Sequence, residues 1–452
     1  MKRMICLFLT GLMLLSAACT AAPNPQAAAP TEAPEEQPQA EPTAEPEPEP
    51  EAEPQNDPTK VGVNDPVEPV TAPLDEVPDV QGYGGFASLL SAAVLSGMKN
   101  QNLSPISVYL ALAMVAEGAN GDTQAELLKL MGCRTIEELR GVCANMLETL
   151  SIDEEHSTLD FHNSLWMADE IMGQPVSFHA SYLDTLADAY RSEAYAVTFG
   201  SMSANEQIAE WINKHTRGKI NVQPDALNFD PATLAVLINT IYLKDAWAEA
   251  FDERSTEVGT FYGLDGEFDV NYMKRTDKNV TVRQGDGWLA YRVYLNSVGY
   301  VTFVLPDEGI PLEKLLGSPD AIDKLLNKGI EGNFDVSLWL PKFKFQDKME
   351  LVDVLAALGL QLSFSSDADF SGISDTPCCI DSVIQESYIG ADEIGVEAAA
   401  YTMISMRATG YIMPVEREKL DFHLTRPFFY AIQSYDGTVL FIGTVTEPTV
   451  HQ

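Results

Sequence analysis

Residues 20–78 set the first limit on this chain, because they cannot fold. They are dominated by Ala, Pro and Glu, as in AEPTAEPEPEPEAEPQ. Proline lacks the backbone donor that helix interiors and central strands need. Ten Asp or Glu and no Lys or Arg lie from Thr31 through Asp57, so like charges also keep the segment open. With little apolar surface to bury, nothing offsets the entropy of ordering the backbone. Residues 19–80 are therefore expected to be a disordered, extended acidic linker. The fold must come from residues 81–450. That is about 370 residues, enough for one large domain or two ordinary ones. Apolar residues make up 45 % of the chain, which supplies a substantial core. A formal net charge of −39 argues against nucleic acid and anionic membrane surfaces as partners.

The chain opens MKRMICLFLTGLMLLSAAC. Lys2 and Arg3 precede an apolar run from Met4 to Leu15, then small residues, then Cys19. That order makes a secretory signal, too short to span a bilayer. Cysteine directly after Ser-Ala-Ala resembles the bacterial lipobox, in which the signal is cut before the cysteine and the thiol carries lipid. The resemblance implies a signal peptide over 1–18, a membrane anchor on Cys19 and an exported bacterial protein held at the cell surface. With an ordinary cut near Ala21 or Ala22 the protein is secreted instead. Cys6 leaves with the signal. Cys133, Cys143, Cys378 and Cys379 are too few for a disulfide framework in so long an exported chain, so buried or idle thiols are expected, with room for one bridge.

The remainder reads as helices first and strands later. GGFASLLSAAVLSGM has helical apolar spacing. Residues 104–132 read as a helix, a turn at Gly118–Gly121 and a second helix capped by Asp122 or Thr123, with Glu126 in its first turn. Residues 205–220 form an amphipathic helix stopped by Gly218, and residues 350–362 another. Strands are expected at 234–243, 300–306, 335–345 and 438–448, and GDGWLAYRVYLNSVGY is hairpin material. Segregated helices and strands suggest α+β with antiparallel sheets. Catalytic chemistry is not proposed by any pattern. The six histidines make no metal-ligand pair at helical spacing, and no HExxH, GxSxG, P-loop or GxGxxG occurs. No cofactor, metal or enzymatic activity is expected.

Six segments in order carry a family resemblance. They are NLSPISVYLALAMVAEGANGDT, WINKHTRGKI, NTIYLKDAWAEAF, LPKFKFQDKMELVDVLAALGLQLSFSSDADFSGI, RPFFYAI and FIGTVTEPT. From about Gly82 to Thr449 the chain resembles a serpin, with Asp245 standing where the family usually has Gly. The resemblance implies three β-sheets with a large central one, about eight or nine helices, and an exposed reactive-centre loop. It also implies a monomeric suicide inhibitor whose partner is a serine protease. The protease cuts the loop, is held as an acyl-enzyme, and is carried off as the loop enters the central sheet.

The loop hinge is similar to ADEIGVEAAAYT, spanning Glu393, Gly395, Val396, Glu397, Ala398, Ala399, Ala400, Tyr401 and Thr402. Side chains alternate between faces of a strand. Val396, Ala398, Ala400 and Thr402 share one face, small or β-branched and uncharged. Glu397, Ala399 and Tyr401 take the other. A run with charge on one parity only suits insertion between packed strands, whereas non-inhibitory serpins tend to carry charge, proline or bulk on the inserting face. Ser104, Pro105 and Ser107 resemble the residues beneath the point where the sheet parts, with Gln385 where animal serpins commonly have histidine. Trp247 and Glu393 resemble the sites where insertion begins. Asn239 and Asn163 are expected to satisfy buried backbone.

Counting from the hinge as in the family, the bait bond is Thr409–Gly410, fourteen residues after Gly395. The loop is long beyond it, with Pro427 eighteen positions after Thr409, which leaves Arg407, Tyr411 and Met413 as alternatives. Thr409 suits an elastase-like pocket, Tyr411 or Met413 a chymotrypsin-like one, and Arg407 a trypsin-like one. A papain-like target and a non-inhibitory binding protein on the same fold stay open.

Overall fold

The computed structural model describes residues 81–396 and 417–448. The signal peptide, Cys19, the acidic linker, Glu397 to Thr402, Arg407, Thr409, Gly410, Tyr411 and Met413 lie outside the described residues. The chain begins with α1 (Gly82–Val94), β1 (Gln101–Leu103), α2 (Pro105–Ala116), α3 (Gly121–Leu130) and α4 (Ile136–Thr149). Ser104 caps α2 and Pro105 occupies its first position, where a missing donor costs nothing. Ten of the twelve α2 residues are buried, so the helix is apolar on nearly every side and runs through the core.

Next come β2 (Ile152–Asp153), β3 (Thr158–Ala168), β4 (Glu170–Ile171), β5 (Gln174–Pro175), α5 (Ala180–Tyr190), β6 (Ser192–Val197), α6 (Met202–His215) and β7 (Ala235–Ala246). They are followed by β8 (Glu257–Tyr262), β9 (Glu267–Gly285), β10 (Trp288–Tyr294), β11 (Gly299–Pro306), α7 (Pro319–Asn327), β12 (Ile330–Pro341) and β13 (Phe343–Glu350). The last elements are α8 (Val352–Ala357), β14 (Ile384–Ala391), β15 (Gly395–Val396), β16 (Lys419–His423), β17 (Phe428–Ser434) and β18 (Val439–Val445). The described residues thus hold eight α-helices and three sheets.

One sheet has nine strands in the order β1-β18-β17-β11-β10-β9-β12-β16, with β8 also on β9. The second has seven, β13-β14-β15-β7-β3-β2, with β6 beside β3; β4 and β5 make a small ribbon. Pairing is antiparallel except for β12 with β16 and β3 with β6. Strand alternation gives the seven-stranded sheet two different faces. Leu159, Leu165 and Leu243 join the main core with α1, α2 and the other sheet. Trp166, Ala168, Val236 and Ile238 face the other way and pack with Ile208 and Trp211 of α6.

Several boundaries differ from those expected. The cap of α3 is Asn120, not Asp122 or Thr123. The Thr123 hydroxyl instead accepts from the Asp369 amide, and Glu126 accepts from the Leu362 and Ser363 amides, so both hold a distant loop. The segment 335–345 is two strands in different sheets, parted at Lys342. The buried face shifts by one residue there, from Val336, Leu338 and Leu340 to Phe343, with no Gly-rich turn between them to mark the change of sheet. Helix α8 stops at Ala357, and Gly359 takes a positive φ of 114° that ends the turn. Helix α6 starts earlier, at the Ser201 cap, whose hydroxyl accepts from the Ala204 amide at 3.2 Å. Cys133, Cys143, Cys378 and Cys379 are free thiols, the first two buried. No described helix is long and apolar enough to cross a membrane.

Candidate functional site

The turn from β14 into β15 is held from every side. Asp392 accepts at Oδ1 from the Ile394 amide at 2.9 Å and the Gly395 amide at 3.3 Å, which closes the turn on itself. Trp247, just past β7, donates its indole N–H to the Asp392 carbonyl at 2.7 Å and its amide to the Ile394 carbonyl at 2.8 Å. The Glu393 carboxylate accepts from Lys342 at 2.7 Å and from the Thr256 hydroxyl at 2.8 Å. Burial pushes this carboxyl up, but those two bonds more than offset it and hold Glu393 below the usual carboxylate range. Burial raises Asp392 above that range, and its bonds from the Ile394 and Gly395 amides offset only part of the rise.

Beyond the turn, Val396 lies opposite Ala391 of β14 on one side and Asp245 of β7 on the other. Gly395 lies opposite Ala246, and a Cβ there would come within 2.1 Å of the Asp245 carbonyl oxygen. Glycine is therefore required by close backbone approach. Among the described residues, β14 and β7 are linked in the sheet only through this two-residue strand. A cleft opens directly below it. Its described lining is Ile241, Tyr242 and Leu243 of β7, Tyr388, Ile389 and Gly390 of β14, Val396 above, Ile432 and Phe441 at the back, and Thr216, Lys219 and Ile220 in front.

The far end of β14 is fastened to the other sheet by side chains. Gln385 accepts from the Ser104 amide at 2.9 Å and donates to the Ser104 carbonyl at 2.8 Å. Ser104 in turn donates its hydroxyl to the Leu440 carbonyl at 2.9 Å and accepts from the Ser107 amide at 3.4 Å. Ser387 donates to the Asn102 carbonyl, and Asp347 of β13 accepts from the Asn102 amide at 3.0 Å. One edge of β1 pairs with β18, while the Asn102 peptide turns to side chains of the seven-stranded sheet. Asn239 donates to Asn163 at 2.8 Å, and Asn163 donates to the Tyr190 carbonyl at 2.7 Å, so the pair links β7, β3 and the end of α5.

Three contributors had no sequence signal beyond their charge. Asp245 is 1 % exposed, yet its carboxylate accepts from the Ser157 hydroxyl at 2.6 Å and from the Ser297 and Val298 amides at 2.8 and 2.6 Å. It ties the top of β7 to the β10–β11 turn. Lys342 and Asp392 are the others. Only the departure of Asp245 from the family glycine could have drawn notice to it. The described residues contain no cluster of His, Cys, Asp or Glu able to hold a metal.

The chain matches the family described as Serpin (serine protease inhibitor) over residues 84–448. Among curated relatives it is 29 % identical to Serpin-Z1B of Triticum aestivum, covering 80 % of this chain and 94 % of that one. It is also 29 % identical to an uncharacterized serpin-like protein of Thermococcus kodakarensis, covering 82 % and 86 %. Among solved structures it is similar to the thermophilic serpin tengpin in the native state, with a TM-score of 0.70, 26 % identity, and 85 % and 97 % of the two chains covered. Thyroxine-binding globulin in complex with thyroxine shares the fold at a TM-score of 0.68 and 23 % identity, covering 82 % and 98 %.

Proposed function

The chain belongs to the serpin family, and from that premise we propose that it is a suicide-substrate inhibitor of serine endopeptidases, elastase- or chymotrypsin-like in preference. The loop after Val396 is the bait. The protease serine hydroxyl adds to the Thr409 carbonyl carbon, the Thr409–Gly410 bond breaks, and the proton passes to the departing Gly410 amine. The ester so formed joins the two proteins. The freed segment then enters the sheet between β14 and β7, and the ester is trapped before water can hydrolyse it.

The observation that carries this reading is that, among the described residues, β14 is linked to β7 through Gly395 and Val396, above a cleft. Continuing the register of β15 sets Ala398 between Leu243 and Ile389, Ala400 between Ile241 and Ser387, and Thr402 between Asn239 and Gln385. These share the core face with Val396, where small uncharged side chains fit. Glu397 falls beside Lys244 on the other face, so the one charge of the hinge meets a cation. Tyr401 falls between Thr240 and Glu386 on that same face. Lipid on Cys19 and the linker of residues 19–80 hold the domain off a membrane, as an exported monomer without cofactor.

The test is to incubate the full chain with elastase-, chymotrypsin-, trypsin- and papain-like enzymes and run denaturing gels. A complex of about 1:1 stoichiometry that survives SDS is expected with a serine enzyme. Cutting by all of them with no such complex points to a binding protein on the same fold. A complex with the papain-like enzyme alone assigns the cross-class role.

A further inference from the structure

Helix α6 covers the outer face of β3, β6 and β7, and its last turn rests on an unusual contact. The His215 ring at the end of α6 lies 4.0 Å from the ring of His162 on β3, centroid to centroid. Trp211, one turn earlier on α6, lies 4.5 Å from His215. The pair is half-buried. His215 Nε2 is buried without a hydrogen-bond partner, and so is the hydroxyl of Thr240, the residue of β7 directly opposite His162. Two imidazoles packed against each other leave no place for a counter-charge between them.

The segment that leaves α6 crosses to the other side of the cleft. Arg217 pairs with Asp160 of β3 at 3.1 Å and lies 4.4 Å over the Tyr242 ring of β7. Two residues on, the Lys219 carbonyl accepts from Gln346 of β13 at 2.6 Å, and its ammonium lies 5.4 Å over the Tyr388 ring of β14. Whatever seats the end of α6 therefore also seats a strap joining the two strands that flank the cleft.

We propose that His162 and His215 form a pH-sensitive clasp: neutral, they seat the end of α6 and its strap on the sheet; charged, they unseat both. Burial holds both imidazoles below the ordinary histidine value, and His162 lowers His215 further. The charged groups around the pair oppose one another. Asp160 of β3 and Glu193 of β6 favour charging, Lys214 of α6 and Arg217 of the strap oppose it, and β7 presents Thr240 and Tyr242. The C-terminal carbonyls of α6 also favour a cation, yet the balance stays with the neutral form. The sign follows. An unseated histidine charges near pH 6.5 while a seated one resists, so seating is complete above that value and weakens as pH falls below it. A single histidine that charges only when unseated makes opening about tenfold easier at pH 5.5.

The clasp is a property of the domain by itself and stands apart from inhibition, so the test contains no protease. Hydrogen exchange of the purified full chain is followed from about pH 7.5 to about pH 5.5, each amide divided by its intrinsic chemical rate. Residues 202–220 are expected to open roughly tenfold more readily at the acid end, with β17 and β18 unchanged. Indole emission supplies a second reading, since a charged imidazole quenches a touching indole. It is measured in a His423→Gln background, because His423 also stacks on an indole, that of Trp339, at 4.2 Å. Emission should fall in step with the opening. His215→Gln should abolish the emission change and shrink the exchange step, and His162→Gln should raise the midpoint of the emission change and shrink the exchange step. An exchange step absent from the wild-type chain, or equal in all variants, overturns the clasp.

Discussion

Gly395 and Val396 are the last described residues before the loop, and their register sets which of its side chains would face inward if it inserts as proposed. Val396 is 4 % exposed and belongs to the main core with Ala391 and Ile389. On insertion each second residue after it would take that same face. Ala398→Arg should therefore convert inhibitor into substrate, because an unpaired buried charge costs several kcal/mol and slows insertion until hydrolysis of the ester wins. Ala399→Arg, on the α6 side, should be far milder. The ratio of cleaved protein to SDS-stable complex measures both, and equal ratios would refute the assignment of faces. Glu393 adds a pH dependence of its own. Its carboxyl is held below the usual range, so its pairing with Lys342 stabilises the turn above the unfolded carboxylate value and is lost as pH falls through the lower, folded one. Acid should loosen the Glu393 side of the turn, read as faster exchange, relative to the intrinsic rate, of the Phe251 amide that donates to the Glu393 carbonyl, and Lys342→Met should remove most of that dependence.

At the scale of elements, β14 hangs between two kinds of fastening. Its register with β13 is a continuous ladder from Ile384 to Ala391. Its attachment to the nine-stranded sheet is a few side-chain hydrogen bonds, of which the reciprocal pair between Gln385 and Ser104 is the most specific. Gln385→Leu should leave the buried Ser104 peptide unpaired and cost about 1–3 kcal/mol in denaturant unfolding, with Gln385→His recovering part of it. No loss would mean that this fastening does not hold the sheets. The hinge alternation was legible in the sequence because it is local: the parity of residues 396–402 can be counted without knowing any neighbour. The triple coordination of Asp245 was not, since its donors come from positions 88, 52 and 53 residues away. The passage from β12 to β13 leaves only a one-residue trace in the sequence. Val336, Leu338 and Leu340 are buried on one parity and Phe343 on the other, and a shift at a single step carries no turn signal between two strands.

At the scale of the whole molecule, a cut in the loop should stabilise the domain. In most proteins a nick adds freedom to the unfolded chain and is neutral or harmful. Here the segment from Gly395 to about Thr409 would gain ladder hydrogen bonds on both sides, each worth about 1 kcal/mol net, and would bury apolar side chains in the cleft. Melting of intact chain and of chain cut once between Met406 and Met413 should differ upward by on the order of ten degrees or more. An unchanged or lower midpoint would mean that the loop does not insert. The anchor is a separate matter: Cys19→Ser should release the protein from the cell or leave its signal uncut, and a native N-terminus at unmodified Ala21 or later would replace the lipid anchor with plain secretion.

The link from β14 to β7 at Gly395 and Val396 also bears on how the protein ages. If the loop inserts as proposed, the intact form lasts because its escape is slow, without being the lowest in free energy. Warming or long storage would then drain it into the inserted form without changing mass, sequence or concentration. Two preparations identical by every chemical assay would differ in how much protease they can still capture. Only titration against active enzyme counts the molecules that remain armed, and thermal history becomes as much a part of a sample's description as its purity.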